Sequence, residues 1–242
     1  MDRITLIQKI IKEANFSAYL EIGTQAGKSF LPIKCKYKIA VDPMFCISSK
    51  RKIKWLLKNP LNIKNKYFEE TSDDFFAKKK SFLDKRGKID IILIDGSHTF
   101  EGSLKDVLNS LKYLNDRGVI ILHDCYPPNV ASATPAKSKN EAAKKEVEGW
   151  TGEWCGDVWK TIVYLRRAFS DLLDVCIINT DYGLGIVRIK NKIQKPLSID
   201  NKLFDEMHKI PFEEVKQNAE SMIGLKDENF TKVLINELAA KI

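Results

Sequence analysis

The sequence is short of several things, and each shortage removes a class of function. No apolar run approaches the length needed to cross a bilayer, so no membrane span is expected. Its opening, Met1–Asn15, mixes Asp2, Arg3, Lys9, Lys12 and Glu13 with apolar residues, which is not the build of a signal peptide; a cytoplasmic protein is expected. The five cysteines (Cys35, Cys46, Cys125, Cys155, Cys176) include no C-x-x-C pair. Neither a zinc knuckle nor a dithiol redox motif is therefore available, and reduced structural thiols are expected. Two phosphate-binding loops are also missing. A P-loop needs glycine where Ile22 stands ahead of Gly27-Lys28-Ser29, and a dinucleotide fingerprint needs glycine where Gln25 stands.

What is present is enough for one ordinary domain and an appendage: 242 residues, 44% of them hydrophobic. The net charge is +8, with bases clustered from Lys50 to Lys66. Such a cluster reads either as a surface for an anionic partner (nucleic acid, a phosphorylated sugar, a membrane) or as a solvated helix face, the commoner case.

The chain is organised around Ala18–Ser29. An apolar strand carries an acid, Glu21, and breaks at Gly23 and Gly27. A buried strand has little reason to hold a carboxylate unless a partner needs it. Glycines directly after a strand let the backbone approach a ligand, which suits a nucleoside cofactor at the carboxyl edge of an open α/β sheet. A short helix is expected between this loop and Pro32. The next strand, about Lys38–Val41, ends in Asp42-Pro43, with Asp42 19 residues beyond Gly23. An acid there can receive both ribose hydroxyls.

A helix is predicted over Met44–Lys58 and a weak strand over Lys66–Glu69. Thr71–Asp74 reads as a capping box, with Ser72 and Asp73 as candidate adenine contacts. Ile89–Ile94 is a near-continuous apolar run, as expected of a central parallel strand, and ends in Asp95-Gly96-Ser97-His98. A helix over Phe100–Asn115 follows. Val119–Leu122, after an Arg117-Gly118 turn, is a second buried strand and ends in His123-Asp124. Two of the three histidines and two acids thus share one sheet edge. Residues 125–157 read as a lid-like insertion with three tryptophans, Trp150, Trp154 and Trp159, at or beyond its end. Asp157 or Gly156 is expected to cap the following helix. Val175–Asn179 and Leu184–Ile189 form an antiparallel pair around Thr180-Asp-Tyr-Gly. Residues 191–242 are charged and helical in pattern.

Glu21–Ser29, Val41-Asp42-Pro43, Ile94–Gly102 and Gly118–Asp124 together resemble class I S-adenosylmethionine (SAM) methyltransferases, in the branch of macrocin-type and related sugar O-methyltransferases. The resemblance implies a mostly parallel, Rossmann-like α/β sheet of seven strands ending in an antiparallel hairpin. It implies a SAM-binding domain over 1–190; the helical pattern of 191–242 reads as a C-terminal helical extension that packs on the domain or on a second copy, as a homodimer. It implies SAM held by Glu21, Gly23, Thr24, Gln25, Gly27, Ser29, Asp42, Ser72, Asp95 and Gly96. Several relatives hold magnesium or another divalent metal between acids that match Asp95 and Asp124. Here the catalytic set would be Asp95, His98 and His123, since Ser97 replaces an acid found in relatives and His123 stands beside Asp124. A metal-free mechanism with His98 as base remains open beside the metal one. The function expected is methyl transfer from SAM to a hydroxyl of a small polar acceptor, a sugar or a surface-glycan precursor. The alternatives are an RNA-binding protein or RNA methyltransferase using Lys50–Lys66, and a non-catalytic SAM-binding fold.

Overall fold

A computed structural model describes residues 1–240. The chain opens with α1 (Arg3–Glu13), capped by the Asp2 carboxylate, which accepts from the Thr5 backbone N–H. Leu6, Ile7, Ile10 and Ile11 recur at helical spacing and are buried. Each contributes roughly 1.5–3 kcal/mol of burial. Then come β1 (Ala18–Ile22), β2 (Tyr37–Asp42), α2 (Ser49–Lys58) and, after a 3₁₀ turn at Pro60–Lys64, β3 (Lys66–Glu69). The middle of the chain runs α3 (Ser72–Lys78), α4 (Lys80–Arg86), β4 (Ile89–Ile94), α5 (Phe100–Leu111), β5 (Leu114–Leu122), α6 (Lys139–Ala143) and α7 (Trp159–Ala168). The hairpin β6 (Leu173–Ile178) and β7 (Leu184–Ile189) follows, then α8 (Asn201–His208), α9 (Phe212–Gln217), α10 (Ala219–Ile223), β8 (Leu225–Lys226) and α11 (Phe230–Ala239).

The strands form one sheet in the order β3-β2-β1-β4-β5-β7-β6-β8. β1 to β5 are parallel, and β7 runs antiparallel between β5 and β6. This is the expected Rossmann-like methyltransferase sheet with its closing hairpin, with one addition. The C-terminal segment is not purely helical: Leu225 and Lys226 pair in parallel with Ile177 and Ile178 as an eighth strand. The sheet is buried on both faces, which is why β4 reads as a near-continuous apolar run, interrupted only by Asp90. Leu20, Ile22, Ile92 and Ile94 face the layer of α3, α5 and α7, while Tyr19, Ile91 and Leu93 face the layer of α1 and α11. The C-terminal helices pack on this core. Phe204 of α8 stacks on Phe100 of α5, ring centroids 4.6 Å apart, and Lys160 Nζ donates to the His208 carbonyl at 3.1 Å. The last two residues of the 191–242 extension, 241 and 242, lie outside the described residues. No described helix is long and apolar enough to cross a membrane.

Three local expectations are corrected. The stretch after the glycine loop, 25–32, is a series of turns and no helix. Side chains take its carbonyls instead: Lys38 Nζ donates to Phe30 O and Ile33 O, and Asn59 Nδ2 donates to Leu31 O and Ile33 O. The Arg117-Gly118 turn is absorbed into β5, with a register shift opposite Ile89–Ile91. Asp157 does not cap its own helix. Its Oδ1 accepts from the Phe100 N–H at 2.8 Å, so it caps α5 from across the fold.

Candidate active site

The carboxyl ends of β1, β2, β4 and β5 meet at one edge. Backbone bonds fix them there: Gly23 N–H to Val41 O, Asp95 N–H to Ile22 O and His123 N–H to Ile94 O, each 2.9–3.0 Å. Gly23 has φ +87°, and a Cβ on it would fall 1.9 Å from the Asp95 carbonyl oxygen. Only glycine lets the loop after β1 cross β4 this closely.

A cleft of about 660 Å³ opens at this edge, a size that suits a nucleoside cofactor. Gly23, Thr24, Gln25 and Ser29 line it, with Asp42, Ser72, Asp95, Gly96 and His98. Asp42 is buried at the end of β2. Its Oδ2 accepts from Gln25 N–H at 2.7 Å and its Oδ1 from Met44 N–H at 2.8 Å, so it ties the first two loops together with a lone pair on each oxygen to spare. Ser72 opens α3 under the Thr71 cap. Opposite it is a residue that sequence reading passed over, Asp106 of α5, buried and lining the cleft. Burial pushes its carboxyl up to about 7 and nearby Asp73 adds to this, while the Ser72 hydroxyl works against it.

Two expected cofactor residues stand back from the cleft. Glu21 is fully buried, on the face of β1 that packs toward α1. It accepts from the Tyr19 hydroxyl, and from the Ser29 hydroxyl at 2.8 Å. Burial pushes its carboxyl up to about 7 in spite of those bonds. Gly27 (φ +64°) packs against Ile47 and Leu31. Both residues shape the loop without lining the cavity.

At the β4–β5 end the structure brings together Asp95, His98, His123 and Asp124. His98 Nδ1 is 3.1 Å from Asp124 Oδ2, and its Nε2 is 4.0 Å from Asp95 Oδ1. The His98 ring stacks on Trp154, centroids 5.2 Å apart and planes 13° apart. His123 Nδ1 lies 3.0 Å from Asp124 Oδ2 and 3.4 Å from Asp95 Oδ1. Two further residues complete the cluster, and no local pattern announced either. Arg3, at the start of α1, places Nη1 3.0 Å from His123 Nε2 and Nη2 3.4 Å from Asp95 Oδ2. Asp181, in the β6–β7 turn, places Oδ1 3.5 Å from His123 Nε2.

Burial disfavours a charged His123, but Asp124, Asp181 and Asp95 outweigh it and push its pKa up to about 11. The three carboxylates favour the charged form of His123, while the Arg3 guanidinium, 3.0 Å from Nε2, can only donate to that nitrogen and favours the neutral form. Burial likewise opposes ionisation of Asp95 and Asp181, but His123 and Arg3 hold both below the usual carboxylate range. His98, one-quarter exposed, faces the cleft. His98, Asp124 and Asp181 all have positive φ (54°, 61° and 47°), a left-handed conformation that His and Asp adopt more readily than most residues.

Asp95, His98 and Asp124 can each present one ligand atom within 4.8 Å of the others. His98 Nδ1 and His123 Nδ1 are buried without a well-aligned hydrogen bond. A small cavity of about 10 Å³ lies between these residues. Two carboxylates and an imidazole fit a divalent transition metal better than magnesium, which prefers oxygen alone.

Residues 20–125, a little under half of the chain, match a family model described as a methyltransferase domain. A comparison with curated proteins finds no match. Among solved structures, the chain is similar to a Staphylococcus aureus protein provisionally described as a caffeoyl-CoA O-methyltransferase: 20% identity over 79% of this chain and 85% of that one, TM-score 0.50. It is similar to the O-methyltransferase TomG of Streptomyces achromogenes, involved in tomaymycin synthesis and solved with SAM (11% identity, 78% and 80% covered, TM-score 0.51). It is also similar to the Podospora anserina methyltransferase PaMTH1, solved with S-adenosylhomocysteine (15% identity, 79% and 80% covered, TM-score 0.50). At these identities the likeness is one of fold.

Proposed function

We propose that this protein, which carries a methyltransferase domain, transfers a methyl group from SAM to a hydroxyl of a small polar acceptor, a sugar or surface-glycan precursor. The observation that carries the reading is His98: an imidazole at the lip of the cleft, with Nδ1 3.1 Å from Asp124 Oδ2 and one face stacked on Trp154. In this reading Asp42 receives the ribose hydroxyls and Gly23–Gln25 approach the amino-acid end of SAM. Ser72 and Asp106 border the adenine.

With Nδ1 turned to Asp124, His98 Nε2 is free to accept a proton. The acceptor hydroxyl gives its proton to Nε2 as an oxygen lone pair forms the O–CH₃ bond. The C–S bond breaks, its electrons go to sulfur, and S-adenosylhomocysteine leaves. Asp95, Asp124 and Asp181 outnumber the Arg3 guanidinium and, when it is protonated, His123 together, and the surplus negative charge favours a sulfonium nearby.

Asp95, His98 and Asp124 would hold a divalent ion, whose chemistry when bound is that of a Lewis acid lowering the pKa of an acceptor hydroxyl. In that case His98 is a ligand and no base. Calorimetric titration with SAM, with and without manganese, followed by labelled-methyl transfer to an acceptor panel, tests the reading. Saturable SAM binding and transfer to hydroxylated acceptors are expected. No binding at about millimolar SAM, far above ordinary cofactor affinities, would overturn it.

A further inference from the structure

Residues 43–68 contain no acid, and from 50 to 66 they carry seven bases: Lys50, Arg51, Lys52, Lys54, Lys58, Lys64 and Lys66. Charge alone would make this a solvated face. The structure adds a second feature. α2 buries none of its residues, and an apolar stripe runs along its outer face. Leu57 is 80% exposed, Ile63 74% and Ile53 61%, with Leu56 and Leu61 also exposed. These five are half of the ten large apolar side chains exposed among the described residues, a concentration that a merely solvated helix does not need.

The arrangement is ordered. At helical spacing Ile53, Leu56 and Leu57 form one stripe, with Lys52 on one flank and Lys50 and Lys54 on the other. Trp55, on the opposite side, packs partly buried against the core and holds the helix down. Long lysine side chains beside an apolar stripe can reach a charged layer while the stripe enters an apolar one.

We propose that α2 and the Pro60–Lys64 turn are a docking face for an anionic lipid bilayer. Charge and apolarity together select this occupant. A second copy meeting the same face would set seven bases against seven. A nucleic acid would use aromatic platforms, yet the outermost groups here are Leu and Ile, and the Tyr67 ring is covered by Lys52 Nζ at 4.8 Å. An interfacial helix carries this combination: bases for headgroups, aliphatics for the acyl boundary.

The test is flotation of the full chain with phosphatidylcholine vesicles containing about 30% phosphatidylglycerol, against phosphatidylcholine alone, near 0.15 M salt. The expected result is binding to the anionic vesicles, about tenfold weaker on neutral ones. The triple substitution Ile53→Ser, Leu57→Ser, Ile63→Ser alters only exposed positions and should weaken binding about tenfold with every base in place. Replacing Lys50, Lys52 and Lys54 by Gln should do the same. Absence of flotation overturns the proposal, as does a serine variant that floats like the parent. If flotation is absent, salt-sensitive capture of single-stranded RNA would assign the face to nucleic acid, and a dimer that the serine variant dissolves would assign it to self-association. The assay involves neither SAM nor turnover, so it can fail independently of the methyltransferase reading.

Discussion

Arg3 holds the Asp181 carboxylate twice: its backbone N–H and its Nη1 both donate to Oδ2, at 2.8 and 3.0 Å. The contact ties the start of α1 to the β6–β7 turn, 178 residues away, and stations a guanidinium beside His123 and Asp95. Both side chains are more than three-quarters buried. Removing one partner leaves an uncompensated charge in the site. Arg3→Met should destabilise the protein by about 1–3 kcal/mol in urea unfolding, and Asp181→Asn by a similar amount. The double variant should lose clearly less than the sum, since each single change removes the same pair. Full additivity would mean that the pair is not coupled.

Asp42 supplies the second prediction. Both of its oxygens already accept backbone N–H bonds from Gln25 and Met44. Ribose hydroxyls would use the remaining lone pairs. Asp42→Ala should weaken SAM binding about 10- to 100-fold by calorimetry, from the loss of two charge-assisted bonds and of the loop tie. Asp42→Asn, which keeps one acceptor oxygen, should fall between the two. Unchanged affinity in both variants would remove Asp42 from the ribose site.

The reach of sequence reading is visible in these residues. The central strands were legible because a sheet covered on both faces requires near-continuous apolar runs, and their exits placed Asp42, Asp95, His98, His123 and Asp124 at one edge. Glu21 was legible as a buried acid, but the pleat aims it with Tyr19 toward α1, and the loop sequence carries no mark of that. Arg3 and Asp181 meet only through the fold. Asp106 sits among helical apolar residues, and its access to the cleft follows from how α5 packs on β4. Asp157 looked like a cap for the helix beside it and serves Phe100 instead, because capping needs a nearby orphan N–H and not a nearby sequence.

His98 separates the two mechanistic versions. As the base, His98→Gln should lower methyl transfer about 10²- to 10⁴-fold with SAM affinity within about threefold of the parent. Chelation should then leave the parent's rate unchanged. As a ligand beside Asp95 and Asp124, the same variant should also lose binding of manganese, read by calorimetry without SAM or acceptor. A variant with full activity would exclude both roles.

Asp106 makes a prediction about pH. Burial first, then Asp73, pushes its folded-state pKa up to about 7, against about 3.9 in an unfolded chain. The folded state therefore holds this proton more tightly than the unfolded state does. The associated stability is fully present below about pH 4 and is lost as pH rises through 7, where the buried group must ionise. Asn at this position keeps the shape and a hydrogen-bonding carbonyl for Ser72 but has no proton to lose. Asp106→Asn should therefore match the parent near pH 3–4 and exceed it progressively toward pH 7, levelling off above that at on the order of 2–4 kcal/mol. Urea midpoints measured at several pH values give the curve directly. A difference that stays flat with pH would mean that Asp106 is already ionised in the folded protein. The carboxyl beside Ser72 would then present a full charge to the cleft at neutral pH.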